Sequence, residues 1–403
     1  MPTTSSRSQE LIELEEKWGA PNYHPLEVVV ERAEGAWLYD VEGNRYLDCL
    51  SAYSAVNQGH AHPRILQTMV EQAHRVTLTS RAFRNDQLPL FCMELATACG
   101  MEMVLPMNTG AEAVETSIKA ARKYGYEVKG IGADKAEIIV CRDNFHGRTT
   151  TIVGFSSEAG YRKGFGPFTP GFVTVPFGDI EALKKAITPN TCGFLFEPIQ
   201  CEAGINIPPA GYIREALELC GREDIISIAD EIQTGLGRTG KMFACDHEGV
   251  KPDLYVLGKA LSGGFYPVSA VVGPKRVLEL FRPGSHGSTY GGNPLGCAVA
   301  RTALAILDDE QLVERSAEMG EWLLRTMRQE LESPHIREIR GRGMLVGIEL
   351  DIPARRFCEA LQHRGVLCKE THDFVIRFAP PLVVEQEDLE FAIAQMREVF
   401  AAG

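Results

Sequence analysis

The stretch DLYVLGKALSGGFYPVSAVVG, residues 253–273, holds two short apolar runs, with a single lysine, Lys259, placed just beyond the first. Runs this short, bounded by glycine and proline, read as strands covered on both faces rather than as helices. Upstream the same kind of run recurs as MVLPMN, AEIIVC, FVTVP, CGFLFEP and IISIAD. Between the runs lie the helical stretches QLPLFCMELATAC, AEAVETSIKAARKYG, DIEALKKAI and YIREALELC. Such alternation predicts βαβ units and a largely parallel sheet covered by helices, an α/β fold.

Beyond this block the pattern changes. Before it, EVVVERAEGAWLYDVEGNRYLDCL alternates apolar and polar residues around Glu-Gly turns and predicts a small antiparallel sheet. After it come two long helices, NPLGCAVARTALAILDD and LVERSAEMGEWLLRTMRQELES, then strands HIREIRGRGMLVGIEL, helix ARRFCEALQHRG and strand FVIRFAP. The expected organisation is an N-terminal segment, 1–85, belonging to the small domain; a large α/β domain, 86–310; and a C-terminal α+β unit, 311–403.

With 41 basic and 54 acidic residues among 403, the formal charge is −13, which argues against nucleic acid or an anionic membrane as partner. Any anion site must therefore be local. The eleven cysteines show no C-x-x-C spacing, so reduced, mostly buried thiols are expected rather than a metal site or a disulfide framework. The first residues lead into an acidic amphipathic helix without an apolar leader, and no apolar stretch reaches about 18 residues, so a cytoplasmic protein is expected.

GLGRTGK, residues 235–241, resembles a nucleotide-binding glycine loop only superficially. A P-loop needs Ser or Thr after the lysine, where Met242 stands, and a dinucleotide turn should come directly off its strand, where EIQT intervenes. A flexible loop over a site is the expectation.

In a parallel α/β sheet ligands collect at the carboxyl ends of strands, and three polar strand ends stand out. MVLPMN runs into Asn108, Thr109, Gly110 and Ala111 at the start of a helix; IISIAD ends in Asp230; DLYVLG is followed by Lys259. A glycine at a strand-to-helix turn presents backbone N–H groups to a phosphate. A carboxylate ending an apolar strand needs a cation against it, and a pyridinium nitrogen serves. A lysine among small residues can have its amine made nucleophilic by burial and can form a Schiff base. Alone, each is a solvated lysine, a turn or a cap; together they are what pyridoxal 5′-phosphate requires.

The segment IADEIQTGLGRTGKMFACDHEGVKPDLYVLGKALSGGFYP resembles the signature of the class III (ornithine/GABA-type) pyridoxal-phosphate aminotransferases, and NTGAEAVE, NFHGRT, EPIQCEAG and GSTYGGNPLGC resemble further blocks of that family. The resemblance runs from about Asn22 to the C-terminus. Within the family it is strongest to ornithine aminotransferases, in NYHPL, SAYSAVNQGHAHP and VIRFAPPL.

This resemblance implies the fold-type I architecture: a large domain on a mainly parallel seven-stranded sheet with a smaller α+β domain. It also implies a homodimer, or a higher oligomer, with active sites shared between subunits. Lys259 is then the Schiff-base lysine and general base, Asp230 the partner of the ring nitrogen, and Gln233 that of the ring hydroxyl. Phe145 stacks on the ring, Gly110 and Ala111 bind the phosphate, and Thr289 reaches the partner's cofactor. The substrates are amino acids and 2-oxo acids. Arg148 and Arg377 match the two carboxylate-binding positions, and Glu202 matches the glutamate that covers Arg377 when ornithine binds near Arg148, Tyr23 and Tyr53. Uncovered, Arg377 takes the α-carboxylate of glutamate or 2-oxoglutarate.

The implied reaction gives glutamate 5-semialdehyde, which cyclises to pyrroline-5-carboxylate and links arginine metabolism to proline biosynthesis. Other expectations are another ω-amine donor (acetylornithine, GABA or lysine) or a protein that binds the cofactor without transferase activity. Cys201 stands beside Glu202 where relatives often have glycine, and His146 at a position where aromatic residues and histidine vary.

Overall fold

The computed structural model describes residues 6–402. Its central sheet has seven strands, in the order Met103–Met107, Ser269–Gly273, Leu254–Leu257, Ile226–Asp230, Thr191–Phe196, Glu137–Cys141 and Phe172–Val175. Side chains alternate between the two helical layers: Leu254 and Val256 pack with the helix Gly110–Glu127, whereas Tyr255 and Leu257 pack with Pro294–Asp309. The strands from Phe172–Val175 through Leu254–Leu257 are parallel, and Ser269–Gly273 runs antiparallel to both its neighbours. Eleven residues, 258–268, separate it from the preceding strand, too few for a helical crossover, so the chain returns in the opposite direction.

Two four-stranded sheets complete the fold. In the first, Val30–Glu34, Trp37–Asp40 and Arg45–Asp48 form the expected antiparallel meander. Its fourth strand is Val366–Leu367, which joins parallel to Arg45–Asp48 from the far end of the chain. The second has the order Ile336–Arg342, Leu345–Leu350, Val375–Phe378, Lys369–Thr371.

The glycine-rich segment is not a flexible loop. Residues 235–240 are all buried, and Arg238 is 0% exposed. Its guanidinium donates to the carbonyls of Met344 (3.0 Å) and Pro380 (2.6 Å), to Ser51 Oγ (3.1 Å) and to Asn57 Oδ1 (2.5 Å). Burial pulls its pKa down to about 9, with the charge of Asp48 opposing. The glycines allow close approach, since a Cβ on Gly240 would meet Ala317 Cα at 2.8 Å. The segment thus pins the N-terminal and C-terminal sections together.

All eleven cysteines are free, ten of them buried. Among the described residues there is no metal-ligating cluster and no helix long and apolar enough to cross a membrane.

Candidate active site

The three strand ends singled out above meet on one side of the sheet. Lys259 opens a short 3-10 turn, Lys259–Ser262, directly after the extended Gly258, and its own φ is +45°. With Asn108, Thr109, Gly110 and Ser262 it lines a cavity of about 290 Å³. Thr109 caps the helix Gly110–Glu127: its Oγ1 accepts from Glu112 N (3.3 Å), and Glu112 Oε2 accepts from Thr109 N (2.8 Å) and Asn108 N (3.0 Å). This capping box leaves the N–H groups of Gly110 and Ala111 without a partner at the positive end of the helix. Glycine lets the helix start pack closely here, since a Cβ at position 110 would lie 2.9 Å from Ile232 Cδ1 and push that side chain aside.

The floor is nearly dry. Asp230, 5% exposed, accepts from Ile232 N through Oδ1 (3.1 Å), and its Oδ2 lies 2.7 Å from His146 Nδ1. Beside it Glu197 accepts from Phe145 N (3.0 Å). Burial, reinforced by the charge of Asp230, pushes the Glu197 carboxyl well above the usual range. The Lys259 ammonium donates to Gln233 Oε1, and Gln233 Nε2 is buried with no partner. Burial also lowers the Lys259 pKa, although Glu202 and Asp230 pull it upward.

The two arginines differ. Arg377 lies in the strand Val375–Phe378 and is 1% exposed. It donates to Glu202 through Nη1 to Oε1 (2.5 Å) and Nη2 to Oε2 (3.2 Å), and its guanidinium carbon lies 4.7 Å from the Tyr53 ring centre. Burial would raise the Glu202 pKa, but the charge and hydrogen bonds of Arg377, with Lys259 and Arg148, bring it below its ordinary value. Arg148 is exposed, stacked 3.6 Å over the Tyr161 ring and 5.5 Å from that of Phe145.

The site thus brings together Lys259, Asp230, Gln233, Gly110, Ala111, Phe145, Glu202, Arg377, Tyr53 and Arg148. Gly147 helps, since its Cβ position falls 3.0 Å from Ala111 Cβ and seats the Phe145–Arg148 loop on the helix start. Two candidates lie at the rim rather than the floor: Tyr23 is 79% exposed and within electrostatic reach of Tyr53, and Thr289 is exposed beside Ser288, whose Oγ accepts from Asn108 Nδ2 (2.9 Å). Three further residues contribute. Glu197 ends an apolar run just as Asp230 does. His146 has no sequence signal for its contact with Asp230, and Tyr161 has none in its spacing.

These features fit a phosphorylated pyridine aldehyde. Two free N–H groups suit its phosphate, the unpartnered amide of Gln233 its ring hydroxyl, the buried carboxylate of Asp230 its ring nitrogen, and the amine of Lys259 its aldehyde.

Known proteins agree. The chain is 59% identical to an ornithine aminotransferase of Geobacillus sp. (strain WCH70) and 57% identical to one of Bacillus subtilis (strain 168), each match covering 98% of this chain and 99% of the relative. The structure superposes on the ornithine aminotransferase of Toxoplasma gondii, described with partial occupancy of PLP at its active site. That match has a TM-score of 0.97 at 44% identity and covers 98% of this chain and 94% of the other. It also superposes on an acetylornithine aminotransferase of Elizabethkingia anophelis, with a TM-score of 0.91 at 45% identity over 99% and 100% of the two chains. With the family model for class-III aminotransferases matching residues 18–400, the chain belongs to that family of pyridoxal-phosphate-dependent enzymes.

Proposed function

We propose that this enzyme transfers the δ-amino group of L-ornithine to 2-oxoglutarate, giving glutamate 5-semialdehyde, which cyclises to pyrroline-5-carboxylate, and glutamate. The observation that carries this reading is the closed Arg377–Glu202 pair beneath Tyr53. One cleft must accept an ω-amine in one half-reaction and an α-amino dicarboxylate in the other. With Arg377 neutralised by Glu202, a donor cannot anchor its α-carboxylate beside the reacting centre. Ornithine instead places its α-carboxylate toward Arg148, with Tyr23 and Tyr53 flanking it, so that the δ-amine lies next to Lys259. When Glu202 swings away, Arg377 takes the α-carboxylate of glutamate or 2-oxoglutarate in two-point fashion, and Arg148 takes the distal one.

Lys259 would hold the cofactor covalently; Asp230, oriented by His146, would keep its ring nitrogen protonated; Gln233 would bond its hydroxyl; Phe145 would cover its face; Gly110 and Ala111 would bind its phosphate. When bound, pyridoxal phosphate supplies the electron sink for the carbon that loses a proton, and carries the amino group between half-reactions. The Lys259 Nζ, next to the donor's reacting carbon, would move the proton at that carbon, a role its lowered pKa supports.

A homodimer, with Thr289 reaching the neighbouring site, is part of this reading, and the exposed apolar side chains Leu66, Val70, Leu90 and Met93, which a second copy would cover, support it. The division at residues 85 and 310 and a cytoplasmic location belong to the same reading. The test compares amino donors with 2-oxoglutarate as acceptor. Ornithine should exceed N-acetylornithine, GABA and lysine by at least about tenfold in kcat/KM; faster turnover of N-acetylornithine would overturn the assignment.

A further inference from the structure

The sequence SAYS, residues 51–54, contains no glycine, yet all four residues have left-handed backbone: φ is +45° at Ser51, +48° at Ala52, +60° at Tyr53 and +67° at Ser54. Among the described residues other non-glycine positions with positive φ occur singly or as one pair, so a run of four is exceptional here. Each such residue places Cβ against the following carbonyl and is strained, which only a well-anchored surrounding can maintain.

The anchors are present at both ends. Asp48 Oδ1 accepts from Leu50 N (2.9 Å) and Ser51 N (2.8 Å). Ser51 Oγ donates to the Ala379 carbonyl (2.7 Å) and accepts from Arg238 Nη2 (3.1 Å). Past the turn, Gln58 Nε2 donates to the carbonyl of Ala260, next to Lys259 (3.2 Å), and to that of Ala303 (3.0 Å). Between these bolts Ala52 is exposed, and Tyr53 lays its ring over the face of Arg377. Arg377 is therefore covered twice, along its edge by Glu202 and on its face by Tyr53. Ligands that need this guanidinium must displace the first and slide past the second.

We propose that the left-handed turn Ser51–Ser54 sets how readily Arg377 is uncovered, with Ser51 and Arg238 as positioning residues. It thereby sets the balance between diamino-acid donors, which need that arginine closed, and dicarboxylates, which need it open. The inference rests on the roles given above to Arg377 and Glu202. Ordinary right-handed or extended backbone at these positions would carry the Tyr53 ring elsewhere, because a change of φ by about 100° redirects the Cα–Cβ bond. The strain is thus tied to the placement of one ring.

Two substitutions at the exposed Ala52 separate strain from placement. Ala52→Gly relieves the steric conflict and frees the turn to move; Ala52→Asn favours the left-handed conformation and keeps it in place. Both holoenzymes should melt at or above the wild-type Tm. Glutarate, a dicarboxylate without an amine or keto group, should bind the Gly variant at least about fivefold more tightly by titration calorimetry. That variant should lose about fivefold in its ornithine-to-glutamate ratio of kcat/KM, and the Asn variant should stay within about twofold of wild type in both. Glutarate affinity of Ala52→Gly within twofold of wild type would overturn the proposal, as would a fall in Tm in both variants. Failure of the ornithine assignment would appear in the wild-type donor comparison, which the glutarate arm does not use.

Discussion

Asp230, Glu197 and His146 lie beneath the cleft almost wholly out of solvent, whereas Tyr23, Arg148 and Thr289 stand around its mouth in contact with it. The floor groups come from the ends of neighbouring strands or the loops just after them, and their neighbours fix their positions to within a hydrogen bond. The rim groups sit on loops, and Arg148 has aromatic faces rather than a carboxylate against it. A buried charge must be paired where it stands, while an exposed one can wait for its ligand. Arg377 belongs to the floor by burial and to the rim by purpose, and it is the one ligand-reading group with a carboxylate already docked on it.

This contrast predicts that floor substitutions affect the chemical step and rim substitutions affect binding. The largest expected effect is Lys259→Ala, a loss of at least about 10⁴-fold in the half-reaction with ornithine, measured by stopped-flow absorbance. Retention of even a tenth of the wild-type rate would break the assignment. Asp230→Asn removes the charge beneath the ring nitrogen while keeping the shape, and should lower kcat by about 10²–10³-fold with little change in KM.

Glu202→Gln sharpens the boundary between floor and rim. Ornithine should lose about tenfold in kcat/KM, while glutamate holds or gains, because Arg377 is then left uncovered. A parallel fall for both substrates would refute the switching role. Arg148→Lys keeps the charge but loses the planar fork, so the KM for 2-oxoglutarate should rise about fivefold to tenfold with kcat within threefold. Tyr161, stacked on that arginine, gives a smaller shift in the same direction when changed to Leu.

The smallest effect is on stability. Glu231, next to Asp230 and 1% exposed, has its pKa raised by burial to about 6, with hydrogen bonds from Thr234 and Cys245 opposing the rise. The folded state holds this proton more tightly than the unfolded chain does. The contribution is therefore fully present below about pH 4.5 and lost as pH rises through 6, a change of about 2 kcal/mol. Replacing Glu231 with Gln should flatten the Tm profile between pH 4.5 and 6, whatever its effect on absolute Tm; an unchanged slope would mean that the carboxyl titrates normally.

Most of the floor was legible because one rule, a polar residue ending an apolar run, locates Asp230 and Lys259 without knowledge of neighbours. The same rule applied to CGFLFEP would have found Glu197. His146 was not legible as the partner of Asp230, because the two meet from segments 84 positions apart and no local pattern encodes that meeting. The direction of Ser269–Gly273 could have been read from its short connection, whereas the two-residue strand Val366–Leu367 is too brief to show any periodicity. The glycine segment 235–240 misled because glycine permits both mobility and close packing, and only the packed partners decide between them. The left-handed run at 51–54 is invisible in residues that ordinarily avoid it.

The pairing of Arg45–Asp48 with Val366–Leu367 sets an order of events during synthesis. Leu47 N donates to the Gly365 carbonyl and Cys49 N to that of Leu367, each at 2.8 Å, so this edge stays open until roughly 300 further residues have been added. At about 5–20 residues per second that delay is tens of seconds. A sheet begun by Val30–Asp48 is thus completed only near the end of the fold, and throughout that interval its bare edge is open to whatever other nascent chains are nearby.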